Sequence, residues 1–415
     1  MRSPRLRPAN IVHQTMKTSK ASAASISSRI THMSLRSVRW LVAAILGMGI
    51  GCSYPPSRET PQPDSKPAPP SGPVAARGER ASALIVRTRA RWIPAGWSEL
   101  PGWTDDRTRE LWPALLAGCA RPADGWAGVC ALARAFVPTD DAQARDFLQR
   151  SLQPYRVESL DGQSLGLATG YFEPLVAASR LPRSGQQVAL LRPPPDLATR
   201  KPYWTREQLD TLPAARASVR GQEIAFVADP LDALLLQVQG SGRLRLTEAD
   251  GRERLTRVAY AAHNDHVYRS VGRWLIDQGE LRSEEASWPA IRDWARRYPD
   301  RVNELLWSNP RIVFFREEPL PDETVGPRGA QGVPLTPGRS VAVDPLALPY
   351  GTVLWIDSSE PLSATPLRRA VMAQDTGSAI SGAVRIDYFW GWGPIAEQQA
   401  GRMKQPLRLW ALWPR

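Results

Sequence analysis

Histidine and cysteine, the side chains that most often bind metals or act in nucleophilic pairs, are scarce in this chain. Its 415 residues include four histidines and three cysteines. A zinc site needs three or four suitable ligands, and His263 and His266 on one short segment could supply only half of them. The sequence shows no phosphate-binding glycine loop with a lysine and no nucleophile elbow. We therefore expect no metal and no cofactor, which leaves carboxylate chemistry to consider.

The chain also lacks an even distribution of its positive charge. The net charge is +12, but residues 1–51 carry eight Lys or Arg and no Asp or Glu, so they hold eight of the twelve charges. The rest of the chain has a mild surplus and no basic stripe of the kind that follows a nucleic-acid backbone. We therefore expect no nucleic-acid partner.

The N-terminal region lacks a hydrophobic run long enough for a confident membrane span. Its apolar run at 40–50 follows Arg36 and Arg39, a pattern typical of an export signal. Gly51 and Cys52 come next and resemble a bacterial lipobox, in which the cysteine is acylated. Plain secretion with an incidental Cys52 is the alternative.

The first 82 residues are predicted to form two segments before the folded body. Residues 1–52 are the signal and lipobox region, and Met33 would begin a signal of ordinary length, so residues 1–32 are interpreted as a misassigned start. Residues 53–82 are rich in proline and predict a semi-extended tether. Ser53 after the cysteine, rather than Asp, favours the periplasmic face of the outer membrane as the location of a lipid-anchored protein.

The two remaining cysteines, Cys119 and Cys130, are an even pair in a chain that we expect to be exported. Such a pair can form a disulfide in an oxidising compartment, and two buried thiols are an equally good alternative.

Helical and strand patterns alternate along the body of the chain. Apolar residues recur at helical spacing in 104–119 and 126–153, where Asp140 and Asp141 are candidate caps. Further helices are predicted in 268–278 and 284–297. Strands are predicted in four kinds of segment, namely 165–174, the apolar run 234–239, the alternating run 243–246, and short segments between 312 and the C-terminus. Short strands without long helices between them favour a small barrel, so we predict a mainly β fold with some helices.

Two aspartates, Asp375 and Asp387, are the best candidates for chemistry. A carboxyl group that protonates a sugar oxygen needs a raised pKa, which burial or a nearby like charge provides. Asp387 lies on an apolar strand, where an ionised carboxylate without a partner would be costly, so we assign it as the catalyst. Asp375 can instead clamp a loop, and Asp344 before a proline can cap a turn. Trp390 belongs either to the core or to a sugar-stacking surface.

Seven short motifs occur in a fixed order over about residues 100–415, and together they resemble the membrane-bound lytic murein transglycosylase A family with its C-terminal three-aspartate (3D) domain. They are Gly-Tyr-Phe-Glu-Pro at 170–174, Val-Gln-Gly-Ser-Gly-Arg at 238–243, Tyr-Arg-Ser-Val-Gly at 268–272, Val-Phe-Phe-Arg at 313–316, Gly-Arg-Ser-Val-Ala-Val-Asp at 338–344, Pro-Tyr-Gly-Thr at 349–352, and the run from Asp-Thr-Gly at 375–377 to Gly-Trp-Gly at 391–393.

The resemblance implies a double-psi β-barrel domain, formed by residues 83–172 and 309–415 with a helical N-terminal part. A second β-rich domain, residues 173–308, is inserted, and a groove between the two holds the glycan. The resemblance places the catalytic acid on Asp387 and supporting carboxylates on Asp375 and Asp344. The candidate substrate contacts are Thr169, Tyr171, Glu173, Gln239, Ser241, Gly377 and Trp390.

The implied reaction cleaves the β-1,4 bond between N-acetylmuramic acid and N-acetylglucosamine without water and forms 1,6-anhydromuramoyl ends. The implied partners are peptidoglycan glycan strands, the outer membrane through a lipid anchor, and a cell-wall enzyme complex. Three alternatives remain. They are a hydrolase in which Asp375 acts as the base, a non-catalytic glycan-binding lipoprotein, and an aspartic protease, which would need a second Asp-Thr-Gly string.

Overall fold

The structure is a computed structural model that describes residues 83–185, 187–361 and 363–415. The predicted signal region, Cys52 and the proline-rich tether lie outside the described residues. The strands are β1 (Ile85–Val86), β2 (Arg91–Pro94), β3 (Leu152–Glu158), β4 (Gly166–Glu173), β5 (Leu175–Ser179), β6 (Val188–Leu191), β7 (Glu223–Val227), β8 (Ser241–Thr247), β9 (Glu253–His263), β10 (Val313–Pro319), β11 (Ser340–Val343), β12 (Val353–Ser359), β13 (Pro366–Asp375), β14 (Arg385–Trp392) and β15 (Lys404–Pro414).

The α-helices are mostly short. They are α1 (Trp112–Gly118), α2 (Ala127–Ala135), α3 (Asp141–Ser151), α4 (Arg206–Thr211), α5 (Pro213–Ser218), α6 (Pro230–Gln239), α7 (Val271–Asp277), α8 (Trp288–Arg297), α9 (Val302–Trp307) and α10 (Pro394–Ala400). In the part of the chain that the structure describes, no helix combines the length and the apolar character needed to cross a membrane.

Six strands close into the predicted barrel. Around the ring, β4, β14, β11, β13, β12 and β15 pair in turn, and β15 pairs again with β4. The β14–β4 and β11–β13 pairs are parallel, and the other pairs of the ring are antiparallel. The C-terminal part of β15 also pairs with β3, which carries β2 and β1 as an extension. The prediction of a mainly β fold with a double-psi β-barrel is confirmed.

Alternation along the strands decides which side chains fill the barrel. Val341, Val343, Ile386 and Tyr388 are buried in the barrel core, together with Val371. Because successive side chains of a strand point to opposite faces, the residues between these face outward. The same alternation that buries Ile386 and Tyr388 therefore turns Asp387 out of the core.

The helical N-terminal part packs on one outer face of the barrel through a core rich in tryptophan. Asp140 caps α3, since its side chain accepts a hydrogen bond from the Gln143 N–H, as predicted. The helical pattern expected over 126–153 is broken between α2 and α3, and it ends where β3 begins. A disulfide joins Cys119 and Cys130, whose Cα atoms are 5.3 Å apart.

The inserted domain is built on a second sheet with the strand order β10-β9-β8-β5-β7-β6. The chain passes from the barrel to this sheet at Pro174, between β4 and β5. Its predicted return to the barrel at residue 309 is too early, because β10 pairs with β9 from Val313 to Pro319. The inserted sheet therefore continues to Pro319.

The prediction of a strand at 234–239 is wrong, because these residues form the second half of α6. Asp229 caps this helix by accepting a hydrogen bond from the Leu231 N–H, Pro230 begins it, and Gly240, with φ of +77°, ends it. The apolar run lacks a visible helical period because the helix is buried on several sides. The helix caps, Asp229 with Pro230 and Gly240, were the sequence signal that favours a helix over a strand here.

Candidate functional site

A groove of about 960 Å³ lies between the barrel and the inserted sheet. The barrel contributes Tyr171, Asp375 and Asp387, with the segments 327–335 and 376–380. The inserted domain contributes the end of α6 and the start of β8. Further lining side chains from the inserted domain are Tyr260, His263, Tyr268, Arg311, Val313 and Arg316.

The register of four neighbouring strands sets two carboxylates in one row across the groove wall. Ala342 on β11 pairs with Asp375 on β13 and with Asp387 on β14, and Asp387 pairs with Thr169 on β4. Two strand spacings therefore separate the backbones of the two aspartates, roughly 10 Å for a flat sheet. Ala342 itself is buried, in a cluster with Tyr171 and Phe389.

Among the described residues, Asp387 is held through one of its two carboxylate oxygens. Thr169 Oγ1 donates a hydrogen bond to Asp387 Oδ1 over 2.6 Å, and Arg385 Nη2 donates to Thr169 Oγ1 over 2.9 Å. Arginine can only donate, so the hydroxyl hydrogen of Thr169 is left for Asp387. Asp387 Oδ1 is therefore an acceptor, and Oδ2 is the oxygen that can carry a proton.

Burial raises the pKa of Asp387 above its ordinary value, while the Thr169 hydrogen bond and the charge of Arg385 act in the opposite direction. Arg385 acts at a distance, because its guanidinium donates to Thr169 and to the carbonyl oxygens of Leu167 and Ile386. A carboxyl group with a raised pKa can hold a proton and still release it.

Asp375 also has a raised pKa, about 6. Burial is the main cause, the nearby charge of Asp387 adds to it, and hydrogen bonds from neutral donors oppose it. Two of these donors are the Tyr171 hydroxyl, 3.0 Å from Oδ2, and the Ala330 N–H, 2.9 Å from Oδ1. Asp375 thus holds the segment around Ala330 and responds to the charge on Asp387.

Asp344 does not join this row, and its predicted supporting role at the catalyst does not fit its position. It is 3% exposed and lies behind the groove loop rather than on its surface. Its carboxylate accepts hydrogen bonds from the N–H groups of Gly382 and Leu346, and Arg89 forms an ion pair with it at 2.9 Å. Although burial alone would raise its pKa, these contacts hold the pKa below its ordinary value.

A substrate contact by Glu173 also does not fit the structure. This side chain is fully buried between Arg243 and Arg257, with Arg243 Nε 2.8 Å from Oε2. Both arginines also donate to the carbonyl oxygen of Val325. Glu173 therefore joins β4 of the barrel to β8 and β9 of the inserted sheet at the base of the groove.

Trp390 lies away from the groove, so stacking on a sugar there does not fit its position. Its ring packs against Tyr388, with centroids 4.9 Å apart, and its Nε1 donates to Met403 Sδ. The neighbouring Trp392 lies under the guanidinium of Arg243, 3.9 Å from ring centroid to Cζ. Both tryptophans serve packing.

The other predicted contacts lie at or directly behind the groove. Tyr171, Gln239, Ser241 and Gly377 line it, and Thr169 supports Asp387. Gln239 is held in place because its Oε1 accepts from the Phe172 N–H over 3.2 Å. Among the residues described, no cluster of three or more His, Cys, Asp or Glu side chains is arranged to hold a metal ion.

Sequence reasoning missed the arginines of the site. Arg385 lies two residues before Asp387 on β14, so both side chains lie on the same face of the strand, and strand periodicity could have predicted this. The arginines that line the groove come from three separate segments that only the folded chain brings together, and they are Arg121, the pair Arg311 and Arg316, and Arg328.

Comparison with known proteins places both parts of the chain in described families. The family described as MltA specific insert domain matches residues 167–316, and the 3D domain family matches residues 339–413. The membrane-bound lytic murein transglycosylase A of Escherichia coli K12 is 31% identical over 276 residues, which cover 65% of this chain and 71% of that protein.

Solved structures give the same relationship. The lytic transglycosylase LtgG of Burkholderia pseudomallei is 43% identical, with 80% of this chain and 97% of that chain covered and a TM-score of 0.56. The structure of Escherichia coli MltA with bound chitohexaose is 28% identical, with 80% of this chain and 94% of that chain covered and a TM-score of 0.61.

Proposed function

Because the chain belongs to the membrane-bound lytic murein transglycosylase A family, we propose that it is a lytic transglycosylase of peptidoglycan with Asp387 as its catalytic residue. One observation carries the assignment of the residue. Asp387 lies on the groove wall with a raised pKa and with one carboxylate oxygen held by Thr169.

A glycan strand is the ligand that best suits the groove. The Escherichia coli relative was solved with bound chitohexaose, a chain of amino sugars. In this chain, Tyr171, Gln239, Ser241 and Gly377 offer hydroxyl, amide and backbone groups along the groove, which are suitable partners for sugar hydroxyl and acetamido groups. We assign these four residues as substrate contacts.

The first step needs a proton donor. Protonated Asp387 donates from Oδ2 to the glycosidic oxygen as the bond from C1 of N-acetylmuramic acid to O4 of N-acetylglucosamine breaks. The acetamido group of the substrate stabilises the positive charge that develops at C1. In ordinary glycosidases a second carboxylate has this role or activates water.

The second step returns the proton. Asp387 is now ionised, and the Thr169 hydroxyl stabilises it through Oδ1. It takes the proton of the C6 hydroxyl as that oxygen attacks C1 and closes the 1,6-anhydro ring. One carboxyl group acts first as acid and then as base, so no water molecule is consumed.

We assign Asp375 as a positioning residue for this cycle. When Asp387 is ionised, a second negative charge on Asp375 in the same row is unfavourable, and the two carboxylates therefore titrate together. A protonated Asp375 favours the ionised form of Asp387 that the second step needs. Its hydrogen bonds to Tyr171 and Ala330 also hold the wall beside Asp387.

The test is digestion of purified murein sacculi by wild-type protein and by Asp387→Asn, with mass spectrometry of the products. The amide cannot donate the proton, so we expect the rate of release of 1,6-anhydromuropeptides to fall by at least about 10³-fold. Asp293→Asn, an exposed aspartate on α8, is the matched control and should retain the wild-type rate.

The products distinguish the alternatives. Reducing ends instead of anhydro ends from the wild-type protein would indicate a hydrolase in which Asp375 activates water. Binding of the strands without cleavage would indicate a glycan-binding protein. Undiminished release of anhydro ends by Asp387→Asn would show that Asp387 is not the acid.

We further propose that the enzyme is anchored by acylated Cys52 to the periplasmic face of the outer membrane. The Gly51-Cys52 pair after the apolar run supports this location, and its curated relative is named membrane-bound. The proline-rich segment would then allow the enzyme to reach the peptidoglycan and other cell-wall enzymes. Mass spectrometry of the mature N-terminal peptide should find the lipid on Cys52, and an unmodified cysteine there would contradict the proposal.

A further inference from the structure

The groove contains more positive charge than neutral sugars require. Arg121, Arg311, Arg316 and Arg328 all line it, and only Arg316 has a carboxylate partner among the described residues, namely Glu318 at 2.7 Å. Guanidinium groups without an acidic neighbour are the side chains best suited to bind a carboxylate from a ligand.

Two of these arginines meet at one glycine. Arg121 lies so close to Gly332 that a Cβ added there would be 2.1 Å from Arg121 Nη1, and Arg328 Nη1 donates to the carbonyl oxygen of Gly332 over 3.1 Å. Gly332 has φ of +81°, a conformation that suits glycine. Two like charges gathered at one residue repel each other, and an anion between them would relieve the repulsion.

The carboxylates already in the groove do not provide that anion. Asp375 accepts its hydrogen bonds from neutral groups, and no guanidinium contributes to the shift in its pKa. Asp387 responds to Arg385, which does not line the groove. The two arginines at Gly332 thus have their charge available for a ligand.

The backbone that carries this pair is held before any ligand arrives. The buried Gln331 donates from Nε2 to the carbonyl oxygens of Arg121 and Gly118, over 2.9 and 3.2 Å. The disulfide to Cys130 fixes Cys119, two residues before Arg121. A site on a fixed backbone loses less entropy when it binds.

We propose that Arg121 and Arg328 form a carboxylate-binding site for the peptide that branches from the muramic acid of the glycan, so that the enzyme prefers strands with acidic peptide branches. This inference rests on the proposed function. Sugars linked by neutral bonds offer no charge to these arginines, whereas the free carboxylates of the peptide branch do. Arg328 lies on the segment that also donates the Ala330 N–H to Asp375, and Arg121 follows α1 of the helical part.

The experiment measures binding of soluble, uncrosslinked glycan strands by calorimetry in the Asp387→Asn background, so that the strands stay intact. Three probes are compared: strands with their peptides, the same strands after their carboxylates are converted to amides, and strands from which an amidase has removed the peptides. We expect the amide-blocked and the peptide-free strands to bind about tenfold more weakly than the first probe.

The double substitution Arg121→Gln and Arg328→Gln should remove this preference, so that all three probes bind with similar Kd. Arg252→Gln, at an exposed arginine of the β8–β9 hairpin, is the matched control and should keep the preference. Thermal unfolding of each variant establishes that it is folded.

Three results would overturn the site. The first is an unchanged preference in the double variant, and the second is equal binding of all three probes by the parent protein. The third is binding of the peptide-free strands as tight as that of the complete strands. That result would assign the ligand to the lactyl carboxylate. These readouts are affinities. If the wild-type protein formed no anhydro ends, the proposed function would be wrong. The binding measurements would still show whether Arg121 and Arg328 bind a carboxylate.

Discussion

Asp344 and Asp375 lie at the ends of neighbouring barrel strands, β11 and β13, and their surroundings shift the pKa in opposite directions. Asp344 lies behind the groove loop and has a lowered pKa, because two backbone N–H groups and then Arg89 stabilise its charge against the cost of burial. Asp375 lies on the groove and has a pKa of about 6, because burial and the charge of Asp387 outweigh its neutral donors.

The difference shows what separates a structural carboxylate from a working one in this barrel. Burial raises the pKa of both carboxyl groups, so burial alone does not decide the outcome. Two backbone N–H groups stabilise the charge of Asp344, and Arg89 adds a cation at hydrogen-bond distance, which Asp375 and Asp387 lack among the described residues. A carboxyl group without such a partner can exchange protons near neutral pH, which is what acid-base catalysis requires.

Asp344→Asn should change the stability of the protein more than Asp375→Asn does. The neutral amide would leave Arg89 without its counter-charge and would place its NH₂ group against N–H donors that need an acceptor. We therefore expect the free energy of unfolding at pH 7 to fall by about 3 kcal/mol. Because the native pKa is lowered, the contribution of Asp344 is present above its ordinary value of 3.8 and is lost as the pH falls through its native pKa. Urea unfolding at pH 7 and pH 3 measures the difference.

Arg89→Gln serves as the graded control for this prediction. It removes one partner of Asp344, from a half-exposed position, and should destabilise the protein by only about 1 kcal/mol. A loss for Asp344→Asn that is no smaller at pH 3 than at pH 7 would contradict the assigned charge.

The sequence was sufficient for features that depend on local pattern. The apolar residues around Asp387 predicted the strand that carries this carboxylate, and Asp140 predicted the start of α3. Ordered motifs then predicted the barrel and the inserted domain. The strand and the cap depend on neighbours in the chain, which a sequence displays directly. The barrel and the inserted domain were instead implied by the resemblance to a known family.

Features that depend on distant partners could not be predicted in this way. Glu173 is followed by proline in a motif that suggests a groove contact, but its two arginine partners lie 70 and 84 residues away in the chain. Likewise, the convergence of Arg121 and Arg328 on Gly332 depends on how the helical part packs on the barrel. Charge pairing between remote segments is set by tertiary packing.

For Asp375 we expect the opposite dependence of stability on pH from that of Asp344. Its native pKa of about 6 exceeds the ordinary 3.8, so the native state binds its proton more tightly than the unfolded chain does. The associated stability is therefore present below pH 3.8 and is lost as the pH rises through about 6. At pH 8 the ionised group destabilises the fold.

Asp375→Asn should therefore raise the free energy of unfolding at pH 8 by about 1–2 kcal/mol, less than the full shift because the side chain is partly exposed and the amide loses one acceptor. At pH 4 the variant and the wild type should differ little. Urea unfolding at the two pH values measures this, and the release of anhydromuropeptides should fall in the same variant with a changed pH profile. If Asp375→Asn were destabilising at pH 8, or if its rate and pH profile equalled those of the wild type, Asp375 would be a structural clamp of the same kind as Asp344.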